Sequence, residues 1–324
     1  MNTGAQNRAG AAIGFVLFGV LCISLNDMLI KQLSSGYPLH QIVFFRSAIA
    51  LVITLVFLQF EGGFIALRTD AVGLHVMRGL LVVIANMSYF AALAVLPLAD
   101  ATALFFVAPL FITLLSIPIL GERVGPLRIG AVLVGFIGVV IMQRPWESSL
   151  EVSRIVLLLP VLAALTYALN QLMTRRLGVK APASVLAIYI QGTFTLVSVG
   201  FFIVAGDGKF AEGVENASMV FLLRAWVWPP AQDLWVLIGM GVNGALIGYA
   251  LSQAYRIADA ATVAPFEYVG LPLAVIWGFA IFGDLPSWEV WVGIALIVAS
   301  GLFVFFRERM KAQRVTPRPV ARRH

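Results

Sequence analysis

The chain has 324 residues, 60% of them hydrophobic and 12% charged, with a net charge of +6. Those values exclude an ordinary soluble domain and define a membrane protein. The one cysteine, Cys22, falls in an apolar run, where it reads as a small hydrophobe and cannot form an intrachain disulfide.

Apolar runs of spanning length predict ten helices. In chain order they lie near Gly10–Leu33, Pro38–Phe60, Ala71–Val95, Leu98–Leu120, Leu127–Gln143, Val152–Arg175, Ala181–Val204, Leu234–Arg256, Ala261–Phe282 and Trp288–Phe306. The first follows an early arginine, as a signal peptide would, but its length and the lack of a small-x-small cleavage site make it a spanning helix. Pro38, Pro126 and Pro182 stand at or beside helix starts, where the missing amide hydrogen costs nothing. Lipid offers no partner to an open sheet edge, so the expected fold is an all-α bundle. Only Gly206–Pro230 and the two ends are left for water-facing structure.

Basic residues orient the bundle. With the N-terminus inside, and without the tail, nine lysines and arginines fall on the cytoplasmic side and five outside, with Arg46 inside the membrane. The positive-inside rule then puts both termini in the cytoplasm of a multi-pass protein of the cytoplasmic (inner) membrane. The tail "RERMKAQRVTPRPVARRH" directly follows a helix, where holding orientation and touching anionic lipid explain it better than a nucleic-acid partner.

The chain also repeats itself. Asn26, Lys31 and Pro38 match Asn170, Arg175 and Pro182 at an offset of 144, and Pro109, Gly130 and Gly138 match Pro272, Gly293 and Gly301 at an offset of 163. Gly121-Glu122 has a counterpart in Gly283-Asp284, shifted by one position. The matches divide the chain into a cytoplasmic N-terminus (1–9), a first five-helix repeat (10–145), a second (146–306) and a basic cytoplasmic tail (307–324). Five is odd, so the second copy enters the membrane from the other side. Such an inverted repeat is a common basis for alternating access and points to transport.

The blocks "GERVGPLRIGAVLVGFIGVVIMQRP" and "FGDLPSWEVWVGIALIVASGLFVFFRER", one in each half, resemble the EamA-type members of the drug/metabolite transporter superfamily. The resemblance covers about Gly10 to Arg309. It implies ten transmembrane helices in two inverted repeats around a central cavity, drawn from helices one, three, four, six, eight and nine. "VFFRS", "MRGLL" and "VAPFEYVGLPLAV" are similar to the branch that includes S-adenosylmethionine and riboflavin uptake carriers. That likeness makes a riboflavin- or S-adenosylmethionine-like compound the expected substrate, with export of amino acids or drugs as the alternative within the family.

Ionisable residues inside the membrane are costly and mark candidate sites. Glu267, beside Tyr268, is suited to bind a cation or exchange a proton; the competing reading is a structural ion pair or a hydrogen bond to a neighbouring helix. Arg46 needs a partner elsewhere, either an anionic group of a substrate or a structural one such as Glu267, Asp27 or backbone carbonyls. Asp27 and Lys31 are four apart and can pair, although snorkelling also explains Lys31. Asn26 and Asn170 occupy matched places in the two halves, where they line a cavity or stitch helices together. Arg78, Asn86 and Tyr89 form a polar stripe on helix three, and Tyr249 and Gln253 are neighbours on helix eight. Pro109 and Pro272 are kink candidates in helices four and nine.

Other classes fare worse. The three histidines form no HExxH, glycine-flanked serine signatures are missing, and there is no GxxxxGK[ST], so an intramembrane enzyme, a metal or other cofactor, and ATP-driven pumping are not expected. A channel needs no matched prolines. The expected partners are a small-molecule substrate and the lipid bilayer, with a homodimer left open.

Overall fold

The computed structural model describes residues 3–60, 62–67, 72–121, 124–144, 146, 153–176, 183–257 and 264–315. Glu122, Pro182, residues 316–324 of the tail, and the side chains of Arg175 and Arg256 lie outside the described residues.

Helices α1 (Thr3–Leu33), α2 (Leu39–Phe60) and α3 (Val72–Leu93) come first, with a 3₁₀ turn at Phe64–Leu67 between the last two. They are followed by α4 (Leu98–Phe105), α5 (Ala108–Leu120), α6 (Pro126–Met142), α7 (Arg154–Arg176), α8 (Ala183–Ala205), the short α9 (Ala217–Leu223) and α10 (Ala231–Ile257). A 3₁₀ segment, Ala264–Val269, leads into α11 (Gly270–Trp277) and a π-helical turn, Gly278–Phe282, before α12 (Trp288–Val315). Among the described residues seven helical stretches are long and apolar enough to cross a membrane, and three shorter apolar ones are Ile129–Met142, Phe266–Phe282 and Trp288–Val304. Helices satisfy their own backbone groups, the condition that hydrocarbon imposes. Large apolar side chains such as Val52, Ile84, Leu133, Leu196 and Ile203 are exposed on the outside of the bundle, as a lipid-facing surface requires.

The main packing pairs are α1 with α10, α2 with α8 and α10, α3 with α7 and α8, α5 with α7, and α6 with α12. Small residues decide the last of these. A Cβ added at Gly138 or at Gly293 would sit 3.0 Å from the other residue's carbonyl oxygen, so the two backbones touch there.

Two expected helices are broken. The predicted fourth, Leu98–Leu120, divides into α4 and α5 at Phe106–Val107, and the predicted ninth, Ala261–Phe282, is over its described residues 264–282 a 3₁₀ turn, an α-helix and a π turn in succession. The α-helical restarts come one residue ahead of Pro109 and two ahead of Pro272. Pro109 gives no N–H to Phe105 and Pro272 gives none to Tyr268, and each ring crowds the carbonyl four residues back.

Gly206–Pro230, expected to face water, keeps Asp207, Lys209, Glu212 and Glu215 exposed and packs its later part on the corner between α1 and α2. Phe221 of α9 is fully buried, and the His40 ring NH donates to the Leu222 carbonyl at 3.0 Å. Gln41 exchanges two hydrogen bonds with the Val227 backbone, at 2.6 and 3.1 Å, while Arg224 donates to the Ser35 carbonyl. Tyr37 donates to Asp233 at 2.5 Å; burial first, and then this carboxylate, push its phenol up to about 12.

Candidate functional site

Polar side chains gather between α1, α2, α3 and α4. Asn26 and Asp27 are neighbours on α1, and the Asn26 amide donates to Asp27 Oδ1 at 3.2 Å. From the third turn of α2, Arg46 donates to Asn26 Oδ1 at 3.4 Å and, through its second terminal nitrogen, to Asn86 Oδ1 of α3 at 3.2 Å. Its guanidinium lies 6.0 Å from the Phe90 ring centre and 5.5 Å from that of Phe194. Tyr89, one turn beyond Asn86, donates to Asp27 Oδ2 at 3.2 Å and stands 3.0 Å from the Thr102 hydroxyl of α4. The sequence left a substrate anion, backbone carbonyls or an acid open for Arg46. The structure satisfies its fork with two amides and two ring faces, while the charge of Asp27 acts from behind Asn26.

The Asp27–Lys31 pair is not formed. Asp27 is taken up by Asn26 and Tyr89, and the Lys31 ammonium donates to the Leu96 and Leu93 carbonyls at 2.6 and 3.3 Å, 5.2 Å from the Phe282 ring centre. The end of α3 leaves carbonyl oxygens without intrahelical partners, and a cation there also meets the negative end of the helix dipole.

Aromatic rings run from this layer toward Glu267. Tyr89 meets Phe105 at 5.4 Å between centres, and Phe105 meets Tyr167 of α7 at 5.5 Å. The Glu267 charge is felt at Tyr167 and at Tyr268. On the other side of the α4–α5 break, Phe106 packs on Tyr268 at 5.3 Å. Glu267 and Tyr268 belong to the 3₁₀ segment before α11. The Tyr268 hydroxyl is buried, has no hydrogen-bond partner among the described residues, and presses on Gly301 of α12 so closely that a Cβ there would collide with it. The two helix breaks thus bring a carboxylate, two phenols and two phenyl rings into the middle of the bundle.

Asn170 of α7 is buried one residue from Gln171, whose amide donates to the Tyr167 hydroxyl at 2.8 Å. Tyr249 and Gln253 are elsewhere, lining a cleft between α2, α8 and α10. Tyr249 is 44% exposed and packs edgewise on Phe15 and tilted on Phe57. The cleft, about 30 Å³, has room for roughly one water. Its wall includes Gly244, which also lies against the Arg46 stem, so the cleft points at the polar layer.

Thr102, Phe105, Tyr167 and Gln171 were missed in the sequence. A signal existed for the last two: Tyr167 and Gln171 are four apart beside Asn170, and Gln171 takes the place of Asp27 at the offset of 144. Among the described residues no group of three or more His, Cys, Asp or Glu could hold a metal ion.

Buried polar groups inside an apolar helical bundle are the makings of a solute pathway, and they place the molecule among multi-pass membrane transporters. Residues 10–144 match the EamA-like transporter family. A riboflavin transporter of Vibrio cholerae is 34% identical over 281 residues, 86% of this chain and 87% of the relative. An S-adenosylmethionine uptake transporter of Rickettsia prowazekii is 27% identical over 92% of this chain and 93% of its own length, and the pseudopaline exporter CntI of Pseudomonas aeruginosa is 28% identical over 89% and 92%. A solved crystal structure with 18% identity superposes with a TM-score of 0.60 over 98% of this chain and 100% of its own, a likeness of fold. The chain belongs to the EamA-like transporter family, and it is a transporter rather than an enzyme.

Proposed function

We propose that the protein is a secondary carrier of the cytoplasmic membrane that takes up riboflavin, or a similarly flat polar metabolite, by alternating access between two inverted five-helix repeats. The observation that carries this reading is the polar layer of Asp27 and Arg46, which aromatic rings join to Glu267 beside helix breaks at matched places in the two halves. Aromatic faces from Phe105, Phe106, Tyr167 and Tyr268 suit a planar ring system, and the amides, hydroxyls and charges at either end suit its polar edges. The names of the riboflavin relatives favour that solute.

The packing pattern supports the repeat. Exchange α1 with α7, α2 with α8, α3 with α10, α4–α5 with residues 264–282, and α6 with α12. The α1–α10 contact then becomes α7–α3, α2–α10 becomes α8–α3, and α5–α7 becomes the contact of α11 with α1, all of them present. The pairs α2–α8 and α6–α12 map onto themselves. The family match at 10–144 coincides with the first unit of the proposed division. In this reading both termini are cytoplasmic, and Asn26, Arg46, Asn86, Tyr89, Asn170, Glu267 and Tyr268 bind or couple, with Tyr249 and Gln253 at the mouth of the cleft and Pro109 and Pro272 as hinges. Export is the second reading, favoured by the likeness to the pseudopaline exporter.

Proteoliposomes loaded with unlabelled riboflavin should accumulate labelled riboflavin transiently against its gradient, and the uptake should saturate. Linear, non-saturating flux without counterflow contradicts a carrier, and no flux with riboflavin but counterflow with another metabolite corrects the substrate alone. Glu267→Gln should remove the dependence of uptake on an imposed pH gradient. Dependence equal to that of the wild type excludes Glu267 as the proton site.

A further inference from the structure

Arg78 was counted with the cytoplasmic basic residues, yet it is only 4% exposed in the second turn of α3. Its Nε is buried without a hydrogen-bond partner, and no described carboxylate pairs with it. The side chain points inward. Val76, Leu80 and Ile84 are exposed on the outer face of α3, whereas Arg78 and Tyr89 are eleven residues apart and so within about 20° of one direction, on the opposite side. Along the axis they are separated by roughly 16 Å, which puts Arg78 well away from the Asp27–Arg46 layer.

Its neighbours are fixed. A Cβ at Gly79 would overlap Thr193 of α8, so α3 and α8 are in tight contact beside the arginine and leave it no way out between them. The His75 ring, one turn earlier, stacks on Tyr189 of α8 at 4.6 Å and 15°, and Tyr189 is anchored by donating to the Leu67 carbonyl at 3.1 Å. His75 Nδ1 is also buried without a partner. An arginine keeps its charge and carries five donors, so an inward-facing guanidinium with no counter-ion among the described residues, beside a second idle nitrogen, is a receptor for negative oxygen.

We propose that Arg78 and His75 form a binding site for a small oxyanion, a carboxylate or phosphate group, inside the bundle near the start of α3. The site is separate from the Asp27–Arg46 layer and does not depend on riboflavin being the solute. The ligand is a free anion or the headgroup of an anionic lipid.

Purified full-length protein in neutral detergent should be stabilised against heat, saturably, by inorganic phosphate relative to chloride at equal ionic strength. Arg78→Lys should weaken the apparent affinity at least about tenfold, because it keeps the charge but loses the fork. Arg78→Gln should abolish the effect, and Lys209→Gln, at an exposed site, should leave it intact. Phosphorus NMR line broadening of phosphate by the wild type asks the same question if Arg78→Gln fails to fold. In phosphatidylcholine nanodiscs, a phosphate effect that survives addition of phosphatidylglycerol assigns the site to a free anion, and one competed away assigns it to the headgroup. No phosphate-specific effect in the wild type, or an undiminished one in the Arg78 variants, overturns the proposal.

Discussion

Arg46 and Arg78 are both buried in the bundle, at 8% and 4% exposure, but their surroundings differ. Arg46 has two amide oxygens, two aromatic faces and the field of Asp27, and it joins α1, α2 and α3. Arg78 has an aromatic stack beside it and no hydrogen-bonding partner among the described residues. A buried charge hydrogen-bonded to side chains of two other helices acts as a clasp between them. One with idle donors weakens the fold and is free to meet a solute. The same residue type therefore reads as part of the closed layer in one place and as an open receptor in the other.

The comparison breaks most sharply at Arg46. Arg46→Ala strips Asp27 of its counter-charge and leaves Asn26 and Asn86 without their donor, so a loss of about 3–5 kcal/mol in unfolding free energy is expected, with uptake lost too. Thermal denaturation in detergent measures the first and a vesicle flux assay the second. Tyr89→Phe removes one hydrogen bond to a carboxylate and should cost about 1.5–3 kcal/mol by the same melting experiment. Arg78→Met, at the other pole, should change stability by no more than about 1 kcal/mol in the absence of anion, and in the stabilising direction, because it removes an unpaired charge and fills similar volume. Equal destabilisation by Arg46→Ala and Arg78→Met would erase the distinction between the two sites.

Much of the architecture was legible because hydrocarbon admits only long apolar helices. Pro109 and Pro272 marked where two helices bend, but not how far ahead of them the α-helix stops. Hydropathy runs unchanged through Phe105–Pro109 and through Glu267–Pro272, since it is blind to whether a backbone hydrogen bond is made, and the helix fails several residues ahead of each proline. Gly206–Pro230 looked polar enough for water and is partly exposed, while Phe221 and the hydrogen bonds of His40 and Gln41 hold its later part on the α1–α2 corner. For Arg46 the search for an acid favoured Glu267 or Asp27. Asparagine oxygens on α1 and α3 accept its hydrogen bonds, with Asp27 behind Asn26, a choice set by tertiary packing that spacing along one helix does not reveal. Asn26 and Asn170 stood out because they recur at a fixed offset, whereas Thr102 had no such mark.

Two antiparallel five-span units around one chamber require Ser35, in the turn between α1 and α2, and Ser287, ahead of α12, to lie on the same side of the bilayer. With Cys22→Ser as background, Ser35→Cys and Ser287→Cys should both react with a membrane-impermeant maleimide applied to one face of the membrane, and Gln59→Cys, at the end of α2, only when it is applied to the other. Reaction of the two serine positions from opposite faces would contradict the inverted arrangement and the transport cycle built on it.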